Sequence, residues 1–197
     1  MNTMNAIETR SLSRTFGQNE ALHSLAIQVP NGSVFALLGS NGAGKTTTIK
    51  LLMNRIFPTS GDASVLGVDS TKLGPRQFER IGYVSESQRL PSWMTVRQVL
   101  DYYRPFYPSW DRKLEAELLA RFSLPDDRKL GDLSRGMRMK AALISALAYR
   151  PSLLVLDEPF SGLDPLVRDE FTRGLLAVSS LEECTIFVSD ARRRHVS

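Results

Sequence analysis

The stretch Val34-Phe35-Ala36-Leu37-Leu38-Gly39-Ser40-Asn41-Gly42-Ala43-Gly44-Lys45-Thr46 is an apolar run that leads into a glycine-rich loop. From Gly39 onwards it matches the pattern G-x-x-x-x-G-K-[ST], and the residues after it predict a helix over 47–54. A strand, this loop and a helix, in that order, form the context in which the pattern binds phosphate. Glycine lacks a Cβ, so the backbone can wrap around a phosphate and direct its N–H groups inward, and the helix N-terminus adds donors. The stretch therefore predicts a phosphate site in which Lys45 contacts the outer phosphates and the Thr46 hydroxyl binds Mg²⁺.

The composition favours one domain with no membrane span of its own. The chain has 197 residues, 42% hydrophobic and 23% charged, and a formal net charge of +4. No stripe of Lys and Arg with interleaved aromatics indicates a nucleic-acid groove, so we expect no nucleic-acid partner. The single cysteine, Cys184, excludes an internal disulfide framework and lies in an apolar run. The sequence has no apolar stretch long enough for a transmembrane helix, so any membrane role is expected to come through a partner.

Alternating strands and helices predict an α/β protein with a mainly parallel sheet. Residues 88–133 interrupt this alternation with helix after helix, and they are interpreted as an inserted helical lobe. Strands are predicted over 6–10, 22–29, 62–66, 81–84, 153–156 and 184–188, and helices over 75–80, 95–107, 110–122, 134–149 and 165–181. Thr95 is a candidate N-cap, and Asp111 lies near a helix start.

A second motif is the apolar strand Leu153-Leu154-Val155-Leu156 that ends in Asp157-Glu158-Pro159. A buried strand that ends in a carboxylate supplies the Asp that holds Mg²⁺ in phosphate-loop proteins, and Asp157 fits this role. Glu158 is the candidate to orient and polarise an attacking water. The alternative is that both acids cap the following turn.

A third motif, Leu133-Ser134-Arg135-Gly136-Met137, opens a predicted helix. Its N-terminal N–H groups are a candidate second anion site, and the alternative, which this motif alone favours, is that Ser134 is a plain N-cap. These three motifs and Ser161-Gly162-Leu163-Asp164 occur in the order found in ATP-binding cassette (ABC) ATPases. Residues 5–189 resemble the nucleotide-binding subunit of an ABC transporter.

The resemblance implies a P-loop NTPase core, an N-terminal antiparallel β subdomain and the helical lobe. As one domain over 1–197, the chain would divide into a core of about 1–87 and 134–197 and a helical subdomain of about 88–133 plus the start of the next helix. Two such domains would sandwich two ATP molecules head to tail, with Ser134 and Gly136 meeting the γ-phosphate held by the other subunit. The predicted nucleotide-binding residues are Phe16, Gly39, Ser40, Asn41, Gly42, Ala43, Gly44, Lys45, Thr46, Thr47, Glu86, Ser134, Gly136 and Asp164.

Three of these positions are carried over from the family, two of them with a plain structural alternative. Phe16 falls where the family places an aromatic that stacks on adenine, and the alternative is core packing. Glu86 falls where the family usually has the Gln that senses Mg²⁺, so the predicted metal-binding residues are Thr46, Asp157 and Glu86. Asp164 matches the loop that communicates across the dimer, and the alternative is an N-cap for the helix that starts at Pro165.

The sequence departs from the family at three places. Arg135 replaces the usual Gly and Met137 replaces Gln, as in the drug-exporter and peptide-resistance branches that this chain resembles. After Ser189 the family expects a His that contacts the γ-phosphate, whereas this chain has Asp190, and His195 is interpreted as a solvated residue of the tail. The family's usual C-terminal segment is also missing, so the end is interpreted as truncated or altered.

The resulting hypothesis is an ATPase subunit, with Glu158 and Lys45 as catalytic residues and ATP and Mg²⁺ as cofactors, that energises a membrane transporter. Its expected partners are a second ABC subunit, identical or a paralogue, and an integral membrane permease, which would place it on the cytoplasmic face of the cell membrane. The alternatives are a soluble ABC ATPase, for example in cofactor assembly, and a regulatory subunit with impaired hydrolysis.

Overall fold

The computed structural model describes residues 5–182 and 184–191. The strands are β1 Asn5–Phe16, β2 Asn19–Leu25, β3 Gln28–Pro30, β4 Val34–Gly39, β5 Ser60–Val65, β6 Val68–Asp69, β7 Ile81–Ser85, β8 Leu153–Asp157 and β9 Thr185–Ala191. The α-helices are α1 Lys45–Leu52, α2 Pro75–Phe78, α3 Val96–Tyr103, α4 Arg112–Arg121, α5 Arg135–Leu147 and α6 Pro165–Glu182. Short 3-10 turns lie at Ser70–Lys72, Arg104–Phe106 and Leu130–Asp132.

Two sheets organise these elements and confirm the predicted α/β fold. The parallel sheet has the order β4-β9-β8-β7, and the antiparallel sheet has the order β2-β1-β5-β6 with β3 paired to β1. Connections between parallel strands need a long crossover, which the helices supply. The result is a mainly parallel core sheet and an N-terminal antiparallel sheet.

The parallel sheet brings the carboxyl ends of its strands to one edge. Ser85 of β7 pairs with Asp157 of β8, and Asp157 in turn pairs with Ser189 of β9. On the other side of β9, Gly39 at the end of β4 pairs with Ala191. Ligands of open α/β sheets bind outside this edge, so the three segments that follow β4, β7 and β8 converge where a ligand is expected.

Strand β8 is buried along its whole length, and its side chains alternate between two hydrophobic clusters. Leu154 and Leu156 belong to a cluster with helices α3 to α6. Leu153 and Val155 belong to a second cluster with α1 and the antiparallel sheet. A strand buried on both faces is typical of the centre of a parallel sheet, and it explains the continuous apolar run in the sequence.

The helices between β7 and β8 begin at the residues that the sequence indicates. Thr95 Oγ1 accepts a hydrogen bond from Gln98 N at 3.1 Å, and Thr95 N donates to Gln98 Oε1 at 2.9 Å, so the pair forms a capping box. Asp111 Oδ1 accepts from the N–H groups of Lys113 and Leu114 at 2.8 and 3.0 Å. The Leu114 N–H and the Arg150 guanidinium hold the pKa of Asp111 below its usual range. The predicted N-cap at Thr95 is confirmed, and Asp111, predicted to lie near a helix start, is the N-cap of α4.

Several boundaries differ from the sequence prediction. The helix predicted over 95–107 ends at Tyr103, because Pro105 cannot donate the next backbone hydrogen bond and the chain tightens into a 3-10 turn. The strand predicted over 6–10 continues to Phe16 through an irregularity at Ser11, whose φ is 46°. The strand predicted over 22–29 is divided into β2 and β3. Among residues 5–182 and 184–191 no helix is both long enough and apolar enough to cross a membrane.

Cys184 provides a test of the packing around β9. Its side chain is buried, and burial raises the pKa of the thiol from 9.0 to about 12. Because only the thiolate reacts, alkylation by iodoacetamide at pH 8 should be slower in the native protein than in the urea-unfolded chain, on the order of a thousandfold. The same shift makes the free energy of unfolding depend on pH. The native state gains stability from it below pH 9, where the thiol is protonated in both states, and this gain is lost as the pH rises towards 12, because the thiol of the unfolded chain ionises first. Equal alkylation rates in the two states would show that Cys184 is accessible.

Candidate nucleotide-binding site

The loop between β4 and α1 depends on glycines at two positions. Gly42 and Gly44 have φ values of 85° and 80°, in the left-handed region that side chains disfavour. A Cβ on Gly44 would lie 2.5 Å from the carbonyl oxygen of Ala21, so this position also lacks space. Ala43 N donates to Ser40 O at 3.1 Å and closes the turn. The loop thus leads directly into α1, which begins at Lys45, two residues earlier than predicted.

The first turn of α1 presents backbone donors and a buried cation to a cleft. No side chain caps this helix, and the first N–H groups of any helix have no partner within it. The cleft has a volume of about 300 Å³ and is lined by Asn19, Glu20, Ala21, Gly42, Gly44, Lys45, Thr46, Thr47 and Glu158. These donors and the positive end of the helix dipole make the cleft complementary to an anion.

Lys45 is only 5% exposed, and its ammonium group is held by the loop itself. Its Nζ donates to Gly39 O at 3.1 Å and to Ser40 O at 3.0 Å, and it lies 3.2 Å from Glu158 Oε1. A buried ammonium needs such partners, because an unpaired charge is costly to remove from water. Lys45 is therefore already placed where the loop and the Asp-Glu motif meet.

The Asp157 carboxylate is buried and lies at the end of β8. Its Oδ1 accepts hydrogen bonds from Thr46 Oγ1 at 3.2 Å and from Ser189 Oγ at 2.9 Å. The adjacent residue, Glu158, has a φ of 52° and donates its N–H to Ser189 Oγ at 3.0 Å. Such a conformation is uncommon for a non-glycine residue and is held by its surroundings. A carboxylate beside a hydroxyl at this depth is a set of hard oxygen donors that fits Mg²⁺.

Glu86 follows β7 and is brought to the same edge. Its N–H donates to Asp157 O at 3.1 Å. It lines a second cleft of about 210 Å³ together with Thr46, Ser85, Ser87, Asp157 and Glu158. Its carboxylate forms an ion pair with Arg135, the first residue of α5. Glu86 therefore lies close to the other two predicted metal-binding residues, Thr46 and Asp157, and its carboxylate has a cationic partner.

The other predicted residues lie outside these two clefts. Phe16 is 45% exposed at the end of β1, where it pairs with Asn19, and the Arg14 guanidinium lies 4.4 Å from its ring centroid. Ser134 caps α5 by accepting a hydrogen bond from Met137 N at 3.2 Å. Gly136 is buried, and a Cβ there would lie 2.7 Å from Val167 Cγ1 on α6.

Asp164 caps α6, as its structural alternative predicted. Its Oδ1 accepts hydrogen bonds from the N–H groups of Leu166 and Val167 at 3.1 and 3.0 Å. Asp190, at the position where the family has His, forms an ion pair with Arg168, whose guanidinium lies 5.0 Å from the Phe160 ring centroid. His195 lies outside the described residues.

Comparison with known proteins identifies the family of this site. Residues 22–161 match the ABC transporter family. The chain belongs to this family. It is 31% identical to the ABC transporter ATP-binding protein YtrB of Bacillus subtilis over 94% of this chain and 63% of YtrB. It is 33% identical to the bacitracin transport ATP-binding protein BcrA of Bacillus licheniformis over 93% of this chain and 60% of BcrA. The chain thus spans less than two thirds of the length of these ABC relatives.

Solved ABC structures share the fold. An ATP-binding cassette of an ABC transporter, MJ1267 in its ADP conformation, superposes with a TM-score of 0.81 over 97% of this chain and 83% of its own, at 24% identity. The protein cbiO1 of Clostridium perfringens, part of the ABC transporter complex cbiONQ, superposes with a TM-score of 0.79 over 95% of this chain and 79% of its own. At these identities the similarity concerns the fold alone.

In this ABC protein the structure adds two residues that the sequence prediction missed. Ser189 joins Asp157 to Glu158 through one hydroxyl, and its only sequence signal is a polar residue at the end of an apolar strand. Arg135 contacts Glu86, although the two residues are 49 positions apart. No local pattern connects residues so far apart in the chain, because these contacts depend on the register of the parallel strands and on how α5 docks against the sheet.

Proposed function

We propose that this chain is the ATP-binding and ATP-hydrolysing subunit of a membrane transporter, and that two copies, or one copy and a paralogue, close head to tail on two ATP molecules. The observation that carries the proposal is the convergence of Lys45, Thr46, Asp157 and Glu158 at one edge of the parallel sheet. A phosphate cradle, oxygen ligands for a metal and a carboxylate base are the parts that phosphoryl transfer requires at one site. The chain also has 31% identity to an ABC transporter ATP-binding protein.

Each group has a definite task in this proposal. The N–H groups of the loop and of Thr46 and Thr47 bind phosphate oxygens, and the Lys45 ammonium exchanges its carbonyl partners for the outer phosphates. Thr46 and Asp157 would hold Mg²⁺, which neutralises charge on the phosphates when it is bound. Glu158 orients a water and accepts its proton. The backbone strain at Glu158 and its bond to Ser189 keep the carboxylate next to the cleft.

The second half of each site is assigned to the other subunit. Ser134 and Gly136 lie at the N-terminus of α5 and are not part of the cleft around Lys45. The N-terminus of a helix, with its backbone N–H groups and positive dipole end, suits the γ-phosphate held by a second copy. In the same proposal, Phe16 stacks on adenine and Asp164 contacts the partner. For adenine to occupy the ring face on the Arg14 side, the Arg14 side chain has to move.

The division into a core and a helical subdomain belongs to the same proposal. Residues 88–133 carry α3 and α4, and their surface exposes large aromatic side chains. Trp93 is 71% exposed, Tyr102 58% and Phe106 59%. Exposed aromatics are enriched at interfaces, and we assign these to the contact with a permease at the inner face of the membrane.

The proposal is tested by ATP hydrolysis and by association. Purified protein should hydrolyse ATP only with Mg²⁺, and sedimentation should detect a dimer that forms with ATP and dissociates after hydrolysis. Copurification with a membrane protein from solubilised membranes should require the exposed aromatics, so Tyr102→Ser should weaken it. Absence of nucleotide binding would refute the proposal, and turnover by a protein that stays monomeric would refute the head-to-tail dimer.

One observation favours the second candidate, a nucleotide-binding subunit with impaired hydrolysis. Asp190 follows Ser189 at the family's His position, and its carboxylate forms an ion pair with Arg168. A carboxylate does not donate a hydrogen bond to phosphate as the family's His does. Normal ATP affinity without turnover, measured with the membrane partner present, would select this alternative.

A further inference from the structure

The side chain of Arg135 connects three segments that meet at the site. Arg135 is the first residue of α5, and its guanidinium pairs with the Glu86 carboxylate after β7. The same guanidinium packs on Gly162, between β8 and α6, where an added Cβ would lie 2.6 Å from Arg135 Nη1. Gly162 therefore leaves the space that the guanidinium occupies.

The position of Arg135 is electrostatically unfavourable by itself. A cation in the first turn of a helix opposes the helix dipole, whereas an anion there is stabilised. Glu86 supplies that anion, and both side chains are about 40% exposed, at 44% for Arg135 and 36% for Glu86. The pair is thus open enough to exchange partners. The Glu86 carboxylate offsets the charge of Arg135 at the positive end of the α5 dipole, and Arg135 in turn neutralises Glu86.

The charge of Glu86 matters because of its neighbours. Glu86, Asp157 and Glu158 line one cleft of about 210 Å³, next to the place where phosphates are proposed to bind. Of the three carboxylates, Glu158 forms an ion pair with Lys45, and Asp157 accepts hydrogen bonds from two hydroxyl groups. Glu86 also lines a separate cavity of about 260 Å³ together with Arg135 and Arg138. Glu86 therefore lies between the two cavities, and Arg135, with which it forms an ion pair, lines the second one.

We infer that Arg135 is a positioning residue that neutralises Glu86 and holds its carboxylate away from the metal, which leaves Thr46 and Asp157 as the protein ligands. This inference rests on the proposed function. Without Arg135, Glu86 becomes an unpaired anion beside the phosphates and a competing ligand for the metal. Without the Glu86 charge, Arg135 becomes an unpaired cation near the phosphates. The two single substitutions therefore change nucleotide affinity in opposite directions.

The test is ATP affinity measured in EDTA with the full chain, by calorimetry, for Arg135→Met, Glu86→Gln and the double variant. Arg135→Met should weaken ATP binding and Glu86→Gln should strengthen it, each by about two- to fivefold, which is the range for a partly exposed pair. The double variant should return to the wild-type affinity. Arg97→Met is the matched control, since Arg97 is a half-exposed arginine paired with Asp126, and it should leave the affinity unchanged.

A second measurement follows the metal. Arg135→Met should lower the Mg²⁺ concentration that half-saturates MgATP binding, and the double variant should reverse this change. If both single variants weaken ATP binding and their effects add, Arg135 is only a structural contact, and the inference is wrong. Unchanged affinities in all variants also overturn it, provided that thermal unfolding shows each variant to be folded. Lys45→Ala in the same assay separates the two proposals, because its failure to weaken binding refutes the nucleotide site itself.

Discussion

Replacing Glu158 with Gln is expected to reduce ATP turnover by about 10²- to 10⁴-fold, the range for loss of a positioned general base. The amide has nearly the shape of the carboxylate but does not accept a proton from water. Its oxygen can still accept from Lys45 Nζ, which lies 3.2 Å from the carboxylate, and the backbone bonds to Ser189 do not involve the side chain. ATP binding should therefore be retained, and the ATP-bound dimer should live longer.

Single-turnover hydrolysis and the lifetime of the ATP-bound dimer measure the two consequences separately. Glu117→Gln is the matched control, because Glu117 is an exposed carboxylate on α4 and should leave both unchanged. Wild-type turnover in the Glu158 variant would assign the activation of water to another group. Loss of ATP binding would show instead that the carboxylate is needed to place Lys45.

Replacing Lys45 with Ala is expected to weaken ATP binding on the order of 10- to 100-fold, as estimated from the loss of charge-assisted hydrogen bonds to phosphate. The ammonium is the cation in the floor of the cleft, and it is preorganised by Gly39 O and Ser40 O. The substitution also leaves Glu158 without its partner, so an unpaired anion remains near the phosphates. Both effects act in the same direction.

Calorimetry with ATP and with MgATP measures the change in affinity. Lys50→Ala is the control, since Lys50 is an exposed lysine on the same helix and should change ATP affinity less than twofold. Retained ATP affinity in the Lys45 variant would contradict the phosphate site. Together, the Glu158 and Lys45 variants separate turnover from binding, because of the two only Lys45 is proposed to contact the ground-state phosphates.

Much of the site could be predicted because its signals are local. The glycine-rich loop, the strand that precedes it and the acids at the end of β8 each lie within a few residues, and the structure has them as expected. Thr95, Asp111, Ser134 and Asp164 cap the helices that follow them, since a cap is a contact between neighbours in the chain. Boundaries were predicted less well. The irregularity at Ser11 depends on the surrounding packing, and the helix predicted over 95–107 continued past Pro105, although proline is itself a local signal for the end of a helix.

The sequence by itself determined the parallel α/β core, the glycine-rich loop between a strand and a helix, and the order of the motifs, since hydrophobic periodicity and glycine placement are properties of short segments. Tertiary structure alone decided which groups meet. Thr46 and Asp157 are 111 positions apart, Asp157 and Ser189 are 32 apart, and Arg135 and Glu86 are 49 apart. These contacts depend on strand register and on the docking of α5 and α6 against the sheet, and both are set by long-range packing. The same glycine-rich stretch that predicts a phosphate site therefore meets the proposed metal ligand Asp157 and the paired acid Glu158 only when the sheet is assembled.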